Sequence, residues 1–135
     1  MVNSFMQEQF GGVLNLALNG STYDSSSPYL FNSANAWDYK RVIQVTPSNA
    51  DAYIKLPDAR DIPTGGPIWY MQNLHADTYN VWFKNNGGTN LAKMTPVNND
   101  TTNQIVVLLL DNSTANGVWV FLGQDDSGLN ILASS

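Results

Sequence analysis

The sequence predicts an all-β protein: one β-sandwich or jelly-roll domain of about eight strands with an N-terminal arm. Three observations predict it. Asn, Ser and Thr supply 37 of the 135 residues, and these side chains compete with helical hydrogen bonds and favour turns and strand ends. Ten of the eleven acids are Asp and only one is Glu, so a helical bundle built on Glu, Lys and Ala is excluded. Short apolar segments recur about every ten residues with turn residues between them, the spacing of a sandwich or jelly roll. A small closed barrel is the alternative.

Val13–Leu18 alternates imperfectly and runs into Asn19-Gly20, a turn signal, so it reads as a short strand. Residues 19–36 are rich in Ser, Asn and Tyr and read as a long loop. Residues 1–36 are therefore expected to form an arm, and residues 37–135 the body. The alternative folds the first part back onto the body. Trp37–Val45 reads as a strand, residues 47–51 as a turn, and Ala52–Leu56 as an alternating strand stopped by Pro57. Residues 62–67 read as a rigid connection.

Ile68–Leu74 and Tyr79–Lys84 are expected to pair with each other across His75–Thr78. Asn85-Asn-Gly-Gly88 is a strong hairpin signal leading to a short strand at Leu91–Met94. Gln104–Leu110 is rich in β-branched residues and too short for a typical helix, so it is expected to be a central strand buried on both faces. Asp111–Gly117 reads as a turn and Val118–Leu122 as the return strand. Leu129, Ile131 and Leu132 mark a possible last strand.

Charge narrows the function classes. The chain carries six Lys plus Arg and eleven Asp plus Glu, a net charge of −5 with only 13% charged residues. An acidic chain is a poor partner for nucleic acid or an anionic membrane. With no Cys, disulfides, thiolate metal sites and cysteine nucleophiles are excluded. The longest apolar run has six residues, far short of the roughly twenty a membrane span needs. The first ten residues have no basic segment and do not read as a signal peptide.

Candidate chemistry is sparse, and no cofactor, metal or enzymatic activity is expected. His75 is the only His, and no Gly-x-Ser-x-Gly elbow accompanies it, so it reads as a loop histidine. Asp58 and Asp61 flank Arg60, which suits a local ion pair and turn caps better than a glycosidase pair. Asp125-Asp-Ser-Gly128 lacks the alternating spacing and terminal Glu of a calcium loop. Trp37, Trp69, Tyr70, Tyr79, Trp82 and Trp119 remain. Neighbours on a strand face opposite ways, so Trp69 and Tyr70 cannot both be core, and one of each such pair meets solvent, a subunit or a ligand.

Residues 42–122 resemble β-rich virion proteins of tailed bacteriophages. The resemblance rests on Val42-Ile-Gln-Val-Thr46, Ile54-Lys-Leu-Pro-Asp-Ala59, Pro63-Thr-Gly-Gly66, Asn73, Val81-Trp-Phe-Lys84 and Gly87-Gly-Thr-Asn-Leu-Ala92. It closes on Leu110-Asp-Asn-Ser-Thr-Ala-Asn-Gly-Val-Trp-Val-Phe121. Head decoration (cement) proteins and tail-fibre modules look like this, often with the Leu-Pro-Asp-Ala step and the closing hairpin. The resemblance implies a non-enzymatic homotrimer on the capsid exterior that clamps the major capsid protein and is made in the host cytoplasm. Arms of such proteins grip the lattice, which implicates Phe5, Met6 and Phe10 here; Trp69, Tyr79 and Trp82 are expected near subunit contacts. The alternative is a tail-fibre or receptor-binding tip that reads host-surface glycan.

Overall fold

A computed structural model describes residues 13–31, 42–62, 68–98, 102–125 and 128–134. Among them the chain is all-β: ten strands form two sheets packed against each other as a sandwich. The strands are β1 (Val13–Asn19), β2 (Tyr29–Leu30), β3 (Val42–Ser48), β4 (Ala52–Lys55), β5 (Ile68–Asn73), β6 (Val81–Lys84), β7 (Asn90–Met94), β8 (Gln104–Asp111), β9 (Val118–Asp125) and β10 (Gly128–Ser134). A six-stranded sheet has the order β1-β3-β5-β8-β9-β10, and a four-stranded sheet the order β2-β4-β6-β7. One 3-10 turn, Ala59–Asp61, interrupts the strands.

The winding departs from a jelly roll, whose strands pair antiparallel. The first six strands alternate between the two sheets, so each pairs in parallel with the strand two before it: β1 with β3, β3 with β5, β2 with β4, and β4 with β6. The last four return antiparallel, as the β6–β7 hairpin and the β5-β8-β9-β10 meander. Three expectations change accordingly. β5 and β6 do not pair with each other; they lie in opposite sheets, because the chain crosses the core between them. Residues 13–31 are not an arm, since β1 and β2 pair within the two sheets and Phe31 is fully buried. β8 is central, but it is not buried on both faces: Ile105 and Val107 face the core, while Val106 and Leu108 lie on the half-exposed outer face.

Alternation explains the core. Leu16 and Leu18, Ile43 and Val45, Trp69 and Met71, Ile105 and Val107, and Trp119 and Phe121 point inward from the six-stranded sheet. Ile54, Val81, Phe83 and Met94 meet them from the other sheet. At its centre Trp69 stacks on Trp119 with ring centroids 5.8 Å apart and takes Phe31 edge-on at 5.1 Å. Such aromatic pairs add about 1 kcal/mol each beyond the area they bury.

One end of the sandwich is locked by the two motifs that carry the virion resemblance. The Leu56-Pro-Asp-Ala59 step leads into the 3-10 turn, where Asp58 caps by accepting from the Arg60 amide at 3.0 Å. The β8–β9 turn docks directly onto it. The Ala59 amide donates to the Ala115 carbonyl at 2.9 Å, and the Asn112 side-chain amide donates to the Ile62 carbonyl at 2.8 Å. Within the turn, Asp111 forms an Asx turn with the Ser113 amide, and the Trp119 indole donates to the Asn116 carbonyl. Gly117 closes the turn at φ 68°, where a Cβ would lie 2.5 Å from that of Ala59.

Gly117→Ala therefore meets both a left-handed backbone and a clash with a buried neighbour. The expected loss is roughly 3 kcal/mol of unfolding free energy, read from urea denaturation.

Candidate functional site

The residues predicted as contacts divide sharply. Phe5, Met6, Phe10 and Trp37 lie outside the described residues. Trp69 is wholly buried, which corrects its expected place near a subunit contact: alternation sends Trp69 inward and its neighbour Tyr70, 44% exposed, outward. Trp119 is likewise core. Tyr79 and Trp82 are half-buried: the Trp82 indole donates to Asp51, and Tyr79 belongs to a structural polar cluster.

That cluster centres on Asn73, fully buried at the end of β5 where the chain leaves one sheet for the other. Its amide donates to the Tyr79 carbonyl at 2.9 Å and to the Met94 carbonyl at 3.3 Å, and its oxygen accepts from the His75 amide at 2.9 Å. The His75 ring packs against that of Tyr79 at 4.8 Å with the planes tilted by 58°, and its Nδ1 accepts from the Thr78 amide. Asp77 is held by the Asn98 side chain at 2.8 Å. His75 thus shapes a turn, and no hydroxyl nucleophile is placed against it by these bonds.

Asp58, Asp111 and Asp51 are also engaged. Asp58 and Arg60 form a bidentate ion pair, with bonds of 2.7 and 3.0 Å. Hydrogen bonds from Arg60 hold the Asp58 carboxyl below the usual range, and the same bonds raise the Arg60 guanidinium. The Asp111 carboxyl is lowered by its bonds to Ser113. Asp51 accepts from the Asn80 amide, the Asn80 side chain and the Trp82 indole at 2.9 to 3.2 Å. No group of three potential metal ligands occurs among the described residues.

The surface itself is zoned by charge. Every described acid sits in a loop, in the 3-10 turn or at the last position of a strand. The six-stranded sheet contains no Lys or Arg, and its only acids, Asp111 and Asp125, end their strands. Its outer face carries an apolar row in register across five strands: Val13, Val42, Tyr70, Val106 and Leu122. A second row, Ile68, Leu108 and Val120, lies to one side. A row of neutral amides, Asn15, Gln44, Gln72 and Gln104, lies to the other. A shallow depression of about 290 Å³ runs between the apolar and amide rows. Ile68 is 43% exposed and Leu110, at the bulge of β8, 66%.

The four-stranded sheet has the opposite character. Its outer face holds Lys55, Lys84 and Lys93, three of the six cations of the chain. Tyr53, Trp82 and Lys93 are register neighbours on β4, β6 and β7. Tyr53 and Trp82 stack with planes 9° apart, Lys93 lies over Trp82 and Lys84 over Tyr53. The rings thus stand as a ladder with their faces taken by neighbours, unlike a flat sugar platform. Sequence reasoning found Trp82 but missed this face, because Lys55 lies far from Lys84 and Lys93 in the chain and joins them only through the parallel pairing of β4 with β6.

No family model matches the chain, and neither curated proteins nor solved structures give a match.

Asn73→Ala would leave one buried amide and two carbonyls short of a partner. A loss of about 2–4 kcal/mol in unfolding free energy is expected by thermal or urea denaturation. A change under 0.5 kcal/mol would show that water replaces the side chain.

Proposed function

We propose that this chain is a non-enzymatic assembly protein of the phage-head decoration type. In this reading it forms a homotrimer that binds the outside of the assembled shell and ties adjacent major-capsid subunits together. The observation that carries the reading is the charge-free, apolar outer face of the six-stranded sheet. An apolar sheet face of this breadth is the mark of a contact surface.

The occupant of that face is a second and third copy of the chain. Copies with a net charge of −5 repel one another, and the carboxylates among the described residues lie in loops, the 3-10 turn and strand ends. The six-stranded face is where two copies approach without opposing charges. Three such sheets turned toward one axis enclose their apolar rows. The amide row is desolvated at lower cost than charges would be, provided it finds hydrogen bonds across the axis. A trimer at a threefold position of a shell stabilises the shell by mass action, since it binds the assembled lattice and not the free subunits. Several weak contacts per trimer then act together. The phage resemblance supplies the shell as partner and the virion exterior as location.

The test is the mass of the purified chain by light scattering, together with sedimentation alongside expanded heads of the encoding phage. A trimer that co-sediments with heads is expected. Val106→Glu places a carboxylate on the proposed axis and is expected to yield folded monomers with much weaker head binding. A wild-type monomer or dimer, or a Val106→Glu protein that stays trimeric, would contradict the reading.

A further inference from the structure

We infer that the outer face of the four-stranded sheet binds an acidic polysaccharide, a sugar chain bearing carboxylate or sulfate groups. This goes beyond the decoration reading and does not rest on it.

The argument starts from unbalanced charge. Lys55, Lys84 and Lys93 share one face of an acidic protein, yet none of them is in an ion pair with another described residue; the ion pair among the described residues is Arg60 with Asp58. Lys84 is the sharpest case. It is 7% exposed, its ammonium donates to the Gly88 carbonyl at 3.1 Å, and it lies over the Tyr53 ring. Its partners are a carbonyl and a ring, with no acid beside it among the described residues, so a ligand carboxylate or sulfate would add the charge-assisted bond they do not supply. No strand position on this face is acidic.

The geometry sets the direction of the ligand. Acids bound the face at both ends of β4: Asp51 precedes it, and Asp61 lines a depression beyond Lys55. A polyanion is therefore repelled along the strands and admitted across them. Lys55 and Lys84 are register neighbours on adjacent strands, and Lys93 lies on the next strand. Strands are about 4.8 Å apart, so the two outer lysines sit roughly 10 Å apart across the sheet. That spacing suits charges carried at intervals along a sugar chain.

The same face argues against nucleic acid. Stacking a base requires an open ring face, and those of Trp82 are covered by Tyr53 on one side and Lys93 on the other. Nucleic acid also needs a denser positive field than three lysines on a chain of net charge −5 provide. The separate lysines match isolated anions carried along a sugar chain instead.

Affinity electrophoresis of the full chain tests this, with dextran sulfate, alginate, neutral dextran and single-stranded DNA as probes at low salt. Retardation by dextran sulfate or alginate, but not by neutral dextran, is expected. The Lys55→Gln/Lys93→Gln pair should weaken it roughly tenfold with an unchanged melting temperature. Arg60→Gln, which removes an equal kind of charge outside the face, should leave it intact. No retardation, equal weakening by Arg60→Gln, or equal retardation by single-stranded DNA would overturn the inference. Repeating the measurement on Val106→Glu separates it from the trimer, because a monomer keeps this face.

Discussion

The contact of the β8–β9 turn with the Ala59–Asp61 turn holds the two sheets together at one end of the sandwich. It joins a segment leaving the four-stranded sheet to a hairpin of the six-stranded one. The joint is made by backbone, through Ala59 and Ala115, and permitted by a glycine at position 117 whose missing side chain lets the two chains touch. Trp119 then begins β9 with its indole tied to the same turn, and its ring stacks on Trp69 at the centre of the core. The hairpin conformation and the aromatic core are thus one construction. Two sequence motifs that lie some fifty residues apart are explained as the two halves of a single contact.

A second junction works at the crossing between β5 and β6. Buried polar groups specify geometry when all their hydrogen bonds are met. Asn73 meets three, and they reach both sheets. With the sheets fixed in this way, alternation decides what each outer face shows. One face is apolar and neutral and the other carries half of the cations. The described acids are left to loops, the 3-10 turn and strand ends. The low charged fraction of the chain is therefore not spread evenly: it reflects one large sheet surface from which charge is absent.

The all-β class, most strand positions and the β6–β7 and β8–β9 turns were legible in the sequence, because alternation and Asn-Gly or Gly-Gly turns are local signals. The winding was not. Parallel pairing of β1 with β3 and of β4 with β6 leaves no local mark, and the short spacer at 74–80 reads equally well as a hairpin loop or as a crossing between sheets. Tertiary burial of Asn73 selects the crossing. The pairing Trp69-Tyr70 showed that one ring must face outward, but not which. Packing against Phe31 and Trp119 selects Trp69 for the core, and Phe31 itself stood in a segment that composition assigned to an arm. The lysine face depended on the same unread pairing.

The central claim is that the neutral face is covered in the working assembly while the lysine face stays open. Hydroxyl-radical footprinting of the chain at rising concentration tests both halves at once. Tyr70 should become protected as the assembly forms, while Tyr53 and Trp82 keep the reactivity they show in dilute solution. Unchanged labelling of Tyr70 at every concentration, or protection of Trp82 in its place, would contradict the account.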